Sequence, residues 1–208
     1  MDRLETDADI ERGIKFLCRQ EPAFARAAAR INAPIRLRRR AGGFDALLKA
    51  IVAQQLSVAS AAAIWARAQA AGLTQEKRIL SSTDAALREV GLSRQKIKYV
   101  RALALADVDF DALAAASTEE VVEVLTQISG IGVWTAEIYA MFSLGHQDVF
   151  PSGDLALQEA AKDLFAMNQR PSANALKTMA IDWSPWRAVA AHVLWAYYSA
   201  IKKREGIG

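Results

Sequence analysis

The chain has 208 residues, of which 52% are hydrophobic and 24% are charged, as in ordinary globular proteins. This balance excludes a disordered chain, and no apolar run is long enough to cross a bilayer. A net charge of +3 permits an anionic partner without requiring one.

The single cysteine and the two histidines leave little scope for metal or disulfide chemistry. Cys18 lies in the apolar IKFLC, which is typical of a buried small hydrophobe. One cysteine excludes an internal disulfide, a cysteine-based zinc site and a cysteine-ligated iron–sulfur cluster. We expect His146 and His192 to be structural or surface residues.

Helical periodicity dominates the chain. After Phe44, apolar residues recur with the one-face spacing of an amphipathic helix, at Leu47, Leu48, Ile51 and Val52. Alternating apolar and polar runs, which would predict strands, are nearly absent. The pattern predicts an all-α fold.

Helix starts are indicated by capping residues. The stretch SSTD offers Ser82, Thr83 or Asp84 as caps. Ser117 with Glu120 fits a capping box. In WSPW, a serine precedes a proline, which predicts a cap followed by proline at the first position of a long C-terminal helix.

A glycine-containing break interrupts the helical pattern in TQISGIGVWTAEIYAM, residues 126–141. Gly130 and Gly132 permit positive φ, and their missing side chains let another backbone approach closely. The restarted helix presents N–H donors at roughly residues 132–135, and these donors together with the helix dipole suit a phosphate oxygen. A lone G-x-G is also typical of a plain turn between two helices, so the break by itself predicts only a turn.

Carbonyl groups of the same hairpin offer a second kind of site. Turned outward, the carbonyls near Thr126, Ile128 and Ile131 can hold a monovalent cation, Na+ or K+, that bridges to the same phosphate. No other cofactor is expected. The stretch REVGLSRQKIKYVRAL repeats the plan of a helix end, a glycine and a restarted helix, which is typical of repeated helical hairpins.

Several stretches together resemble the HhH-GPD superfamily of DNA base-excision glycosylases. LTQISGIGVWTA is similar to its helix-hairpin-helix motif, and DVFPSGDLALQ to the loop and essential aspartate that follow it. FDALLKAIVAQQLSVASAA, VGLSRQKIKYVRALA and WSPWRAVAAHVLW resemble its wedge segment, second hairpin and C-terminal signature. The pattern is most similar to the DNA-3-methyladenine glycosylase II type, in the short form without an N-terminal β-rich subdomain.

The resemblance implies that Asp154 is the catalytic carboxylate. Cleavage of an N-glycosidic bond builds positive charge on the sugar, and a carboxylate near C1′ stabilises this charge and helps to orient or deprotonate water. Asp154 also precedes the helical LALQEAAKDLF, where Asp is a common N-cap, and the two roles are compatible. Trp134 stands where strand-cutting members have a Schiff-base lysine, so the resemblance implies a monofunctional glycosylase that leaves an abasic site.

Base recognition requires the target nucleotide to be flipped out of the duplex. The resemblance places Trp134 and Trp195 in the base pocket, where indoles stack on a cationic alkylated purine. Core packing is the alternative for both. Ile138 stands where the long form has a pocket tyrosine, which predicts a less polar pocket. Gln55 or its neighbour Leu56 is expected to fill the gap left by the flipped base.

The remaining contacts to DNA are expected to be made mainly with phosphates. Gln54 is expected to support the turn that carries the wedge, and Ser57 to cap the next helix. The hairpin residues expected to bind DNA are Gly130, Ile131, Gly132, Val133 and Thr135. Weaker candidates for phosphate contacts, since such charges are also typical of solvated faces, are Arg38, Arg39, Arg40 and Lys96.

We therefore predict two helical subdomains with an active-site cleft between them. Residues 36–146 carry the hairpin, whereas residues 1–35 and 147–208 carry Asp154. The predicted partner is double-stranded DNA with damaged bases, bound by a monomer that is cytoplasmic, or nucleoid-associated if bacterial, and not bound to a membrane. A glycosylase for uracil, ethenoadenine or a mismatched base would keep Asp154 and the hairpin, whereas a non-enzymatic DNA-binding protein would need no carboxylate.

Overall fold

The computed structural model describes residues 2–204, and its regular elements are helical. Among these residues no strand forms beyond an isolated antiparallel bridge between Arg3 and His146. The predicted all-α fold is confirmed. No helix in the described part of the chain is long and apolar enough to span a bilayer.

The chain divides into two compact units. One contains the described residues up to Arg39 together with those from Ala140 onward, and the other is Arg40–Tyr139. The sequence predicted boundaries after residues 35 and 146. In the structure, residues 36–39 and 140–146 instead belong to the unit that contains Asp154. Residues 205–208 of the predicted second subdomain lie outside the described residues.

The unit that contains Asp154 is built around one long helix. Its helices are α1 (Asp7–Gln20), α2 (Pro22–Arg30), α11 (Leu155–Leu164), α12 (Ala173–Met179) and α13 (Arg187–Arg204), with a π-helical turn at Ala140–Leu144 and a 3₁₀ turn at Ala180–Trp183. Every residue from Ala188 to Leu194 is buried, as expected of a helix that is covered on all sides. α13 packs against α1, α2 and α11. Both His146 and His192 are buried, at 0% and 6% exposure.

The start of α13 differs from the prediction. The helix begins at Arg187, so Pro185 is not its first residue and Ser184 is not its cap. Instead, the Ser184 hydroxyl donates to the Asp148 carboxylate at 2.7 Å. The local pattern predicted that this hydroxyl caps the helix, but it binds Asp148, which is distant in sequence.

The other unit is a set of shorter helices. In chain order they are α3 (Phe44–Ala53), α4 (Val58–Ala70), α5 (Glu76–Ser81), α6 (Asp84–Glu89), α7 (Arg94–Leu105), α8 (Phe110–Ala115), α9 (Thr118–Thr126) and α10 (Val133–Tyr139). α3 packs against α4, α7 and α10 through its predicted apolar face, which is fully buried. The capping box of Ser117 and Glu120 is present, and Thr83 caps α6.

Candidate functional site

Asp154 is the N-cap of α11. Its Oδ1 atom accepts hydrogen bonds from the backbone N–H groups of Ala156 at 2.9 Å and Leu157 at 3.1 Å, which confirms the predicted cap. The positive end of the helix dipole stabilises a negative charge at this position. The carboxylate is partly accessible, because Asp154 is half-buried and the preceding Gly153 is exposed.

Trp195 lies beside this carboxylate. Its indole Nε1–H donates to the same Oδ1 atom of Asp154 at 3.2 Å. One side of the indole stacks on Phe142, with ring centroids 5.8 Å apart and an interplanar angle of 26°, and His192 packs edge-on at 6.0 Å. Since Trp195 is only half-buried, the indole contributes to the core and also to the surface at Asp154.

Sequence reasoning did not identify Phe142 or His192 as neighbours of the site. Phe142 is held by the π-helical turn Ala140–Leu144, and such turns have no sequence signature but are frequent at functional sites. Burial and the positive charge of Arg38 lower the pKa of His192 from its ordinary value of 6.5 to about 4. The imidazole is therefore neutral at pH 7 and packs as an aromatic ring.

Side-chain bonds brace the loop that leads to Asp154. Asp148 accepts two hydrogen bonds from the Arg187 guanidinium, at 2.7 and 2.8 Å, in addition to the one from Ser184. Although burial alone would raise it, these bonds lower the pKa of the Asp148 carboxyl. Further along, the buried Gln158 amide donates to the Ser152 carbonyl at 2.9 Å. The loop is thus held at Asp148 by Ser184 and by Arg187 of α13, and at Ser152 by Gln158 of α11.

The glycine hairpin lies in the other unit, between α9 and α10. Gly130 has a φ of +97°, and a Cβ built on it would lie 2.3 Å from Cγ of Tyr99. Gly132 has no positive φ, although a glycine would permit one. A Cβ at Gly132 would meet nothing within 4 Å. Gly130 is therefore required by the fold itself, whereas Gly132 leaves open space beside the backbone.

The residues that begin α10 are split between surface and core. Val133 and Trp134 are 55% and 47% exposed, whereas Ile131 and Thr135 are buried. Ile131 and Thr135 can therefore offer a partner mainly their backbone groups. The first N–H groups of a helix have no intrahelical acceptor. Ile138, one turn further along, is half-buried.

The turn between α3 and α4 is tied to this hairpin. The Gln54 side-chain amide donates to the Gly130 carbonyl at 2.8 Å, so Gln54 supports the turn as expected. Gln55 is exposed and has a φ of +57°, which is uncommon outside glycine. Leu56 is 40% exposed, and Val58, which the sequence did not single out, is 89% exposed. The turn therefore presents apolar side chains near the glycine hairpin.

The four basic candidates for phosphate contacts differ in the hydrogen bonds that their side chains make within the protein. The Lys96 ammonium donates to the Val52 carbonyl at 2.5 Å, at the end of α3, and burial lowers its pKa. The Arg39 guanidinium donates to the carbonyls of Leu4 and Ser143, at 3.0 and 2.9 Å. Both side chains hold backbone in place, which favours a structural role. All three arginines are exposed, and the charge of Arg38 also acts on His192.

The hairpin carbonyls are compatible with a monovalent cation. The Ile128 carbonyl accepts from the Ile131 N–H at 3.0 Å and retains a second lone pair. Among the described residues, no backbone hydrogen bond from a neighbouring turn ends on the carbonyls of Thr126 or Ile131. No cluster of three or more His, Cys, Asp or Glu side chains in the described chain is arranged to hold a metal ion.

Comparison with known proteins identifies relatives along most of the chain. Residues 48–187 match the HhH-GPD superfamily of base excision DNA repair proteins. The chain is 27% identical over 162 residues to the alkylbase DNA glycosidase-like protein mag2 of Schizosaccharomyces pombe, an alignment that covers 73% of this chain and 76% of that protein.

Two solved structures are similar over nearly the whole chain. A DNA-3-methyladenine glycosidase from Bacillus halodurans superposes with a TM-score of 0.82 and 33% identity, covering 92% of this chain and 91% of that one. The 3-methyladenine DNA glycosylase Mag1 of Schizosaccharomyces pombe, in complex with abasic DNA, gives a TM-score of 0.75 and 26% identity, covering 88% and 95%.

Proposed function

Because the chain belongs to the HhH-GPD superfamily of base excision DNA repair proteins, we propose that it is a DNA glycosylase that excises alkylated purines of the 3-methyladenine type from duplex DNA. The observation that carries the proposal is the carboxylate of Asp154, which lies half-exposed at the N-terminus of α11 with Trp195 beside it. The names of the similar proteins support the same substrate class.

In the proposed reaction, water replaces the damaged base at C1′ of the deoxyribose. The bond between C1′ and the purine nitrogen breaks, and its electron pair leaves with the base, which neutralises the charge of an N-alkylated purine. The sugar passes through an oxocarbenium-like state, whose positive charge the Asp154 carboxylate stabilises. Asp154 also orients the incoming water and accepts its proton, and the product is an abasic site.

The target base must leave the duplex stack before Asp154 can act on its sugar. We assign the stacking surfaces for the flipped base to the indoles of Trp195 and Trp134, since an electron-rich ring attracts a cationic purine. Ile138 adds an apolar surface in place of a polar one. The exposed side chains of Gln55 and Leu56 are the candidates that fill the gap in the duplex.

The glycine hairpin is proposed to bind a DNA phosphate. The amides at the start of α10 supply donors, and the open space at Gly132 allows the DNA backbone to come close. Carbonyls near Thr126, Ile128 and Ile131 are the ligands for a Na+ or K+ ion that would neutralise phosphate charge at this position. The protein is proposed to act as a monomer in the compartment that contains the DNA.

The proposed enzyme has no lyase activity. A lyase of this superfamily needs an amine that attacks C1′ of the sugar to form a Schiff base. The position after GIGV, where the sequence pattern places that amine, is occupied by Trp134. Reduction with borohydride should therefore trap no covalent complex with DNA, and strands should break only after alkaline treatment.

The function is tested by incubating purified protein with duplex DNA that contains alkylated, deaminated or mismatched bases and measuring the released bases. Alkylated purines should be released. Asp154→Asn should slow their release about 100-fold or more under single-turnover conditions, which is the usual effect of removing a group that stabilises charge in the transition state. Asp109→Asn is the matched control, because Asp109 caps α8 through the same pair of backbone bonds. It should release bases at the native rate.

Each outcome of this assay bears on a different part of the proposal. Undiminished release by Asp154→Asn would remove Asp154 from the chemistry. Release of uracil or a mismatched base in place of alkylated purines would keep the reaction but change the substrate. Binding of DNA without release of any base would favour a binding protein over an enzyme.

A further inference from the structure

Three donors converge on one oxygen of Asp154. Two of them, the N–H groups of Ala156 and Leu157, are what any aspartate receives when it caps a helix. The third, the Nε1–H of Trp195, comes from α13, 41 residues along the chain, and has no part in capping. A cap is complete without it, so the indole contact serves something other than the end of α11.

The indole that makes this contact is itself held in place. Phe142 covers one of its faces at a near-parallel angle, and His192, which lies three residues earlier on α13, packs edge-on against both rings. Phe142 is 7% exposed and His192 is 6% exposed, so both supports lie in the core. The ring of Trp195 therefore cannot turn away from Asp154 without disturbing buried packing.

We propose that Trp195 is a positioning residue, which uses its indole N–H to hold the catalytic carboxylate of Asp154 in the orientation that the excision reaction requires. This inference rests on the proposed function and deepens it. The two backbone donors tie Oδ1 to the end of α11 alone. The Trp195 donor ties the same atom to α13 as well, so two helices fix its position. Small displacements of a reacting group are costly to rate.

The positioning role differs in its consequences from base stacking. Stacking acts on the bound base, so its loss weakens binding of the flipped nucleotide. Positioning acts through Asp154, so loss of the Trp195 N–H slows the chemical step. Once the Asp154 carboxylate has been removed, loss of the Trp195 N–H has no further effect. The two roles are therefore separated by a double-mutant cycle between Trp195 and Asp154.

The first experiment measures single-turnover excision and DNA affinity for Trp195→Phe, in the native and the Asp154→Ala backgrounds. Phenylalanine keeps an aromatic ring against Phe142 and loses the N–H donor. We expect excision to slow about 10- to 100-fold in the native background and less than about 2-fold with Asp154→Ala, while DNA affinity changes less than about 3-fold. Trp65→Phe, at a half-buried tryptophan that packs on Lys49, is the control and should match the native protein.

A second measurement is independent of activity and of whether Trp195→Phe folds. The chain has five tryptophans, and the indole N–H of Trp195 is assigned in a ¹⁵N spectrum of the native protein through its connection to the assigned backbone. This resonance should shift upfield in Asp154→Ala, because its acceptor is lost, and stay unchanged in Asp109→Ala. If the native protein releases no base, the proposed function fails while this spectrum still judges the contact. An unshifted resonance, or equal slowing in both backgrounds, would overturn the positioning role.

Discussion

At Gly130 two constraints coincide on one residue, and they predict a large loss of stability for Gly130→Ala. The backbone has a φ of +97°, and the added Cβ would lie 2.3 Å from Cγ and 2.6 Å from Cβ of Tyr99, close to the root of that side chain. Either the hairpin or α7 must move. We expect the free energy of unfolding to fall by about 2 to 4 kcal/mol, measured by chemical denaturation.

Gly132→Ala is the matched control for this substitution. Gly132 has no positive φ, and its Cβ would meet nothing within 4 Å, so the free energy of unfolding should change by less than about 1 kcal/mol. If DNA approaches the hairpin at Gly132, the same variant should bind DNA more weakly despite its normal stability. Equal destabilisation by the two substitutions would contradict the distinction drawn between the glycines.

His192 predicts a dependence of stability on pH. Burial and the charge of Arg38 lower its pKa to about 4. As the pH falls below about 6.5, His192 therefore becomes protonated in the unfolded chain but stays neutral in the folded protein. The folded state therefore loses stability from about pH 6.5 down to about pH 4. Between pH 7 and pH 5 the loss should be about 2 kcal/mol.

Comparison with His192→Gln isolates this contribution from those of the carboxylates, which titrate mainly below pH 5. The free energy of unfolding of both proteins should be measured by urea denaturation at pH 7, 6 and 5. The native protein should lose about 2 kcal/mol more than the variant across this range. Parallel curves would show that His192 is protonated as readily in the folded protein as in the unfolded chain.

Among the structural elements, the loop that precedes α11 depends on Asp148. This carboxylate binds Arg187 twice and Ser184 once, and both charged side chains are about 29% exposed. Asp148→Asn should lower the free energy of unfolding at pH 7 by about 2 kcal/mol, because a partly buried guanidinium loses its charged partner. Excision should also slow, since the loop positions Asp154. Glu159→Gln, in the more exposed pair with Arg170, should cost less than about 1 kcal/mol.

The helices were predicted well where their signals are local. The capping box of Ser117 and Glu120, the cap of Ser57 and the apolar face of α3 involve residues within a turn or two of each other, and the structure contains all of them. Ser184 was predicted wrongly because its hydroxyl binds Asp148, 36 residues earlier. A local pattern carries no information on such a competitor.

The candidate site shows the same division. The resemblance to the superfamily singled out Asp154 as the catalytic candidate, and the neighbouring residues predicted its role as a cap, which the structure contains. The bond from Trp195 and the stack on Phe142 join residues 41 and 53 positions apart, through a π-helical turn that no sequence pattern indicates. Likewise, Arg39 appeared in the sequence as one of several equivalent charges, and only its contacts with Leu4 and Ser143 separate it from Arg38.

At the scale of the whole molecule, a net charge of +3 is too small to explain binding to DNA by overall attraction. Affinity must come from a few cations placed at phosphates, and each such contact releases condensed counterions. The logarithm of the association constant should therefore fall linearly with the logarithm of salt concentration. The slope counts the phosphates that the protein neutralises.

Arg38 and Arg39 provide a test of which cations contribute to that slope. Arg38 is exposed, so Arg38→Ala should reduce the magnitude of the slope by about 0.9, as expected for one lost phosphate contact. Arg39 already binds two backbone carbonyls, so Arg39→Ala should change the slope less and lower the free energy of unfolding by about 1 to 3 kcal/mol. Fluorescence anisotropy with abasic duplex between about 50 and 200 mM salt measures the slopes. The reverse ranking would assign the phosphate contact to Arg39 and make Arg38 a solvated surface charge.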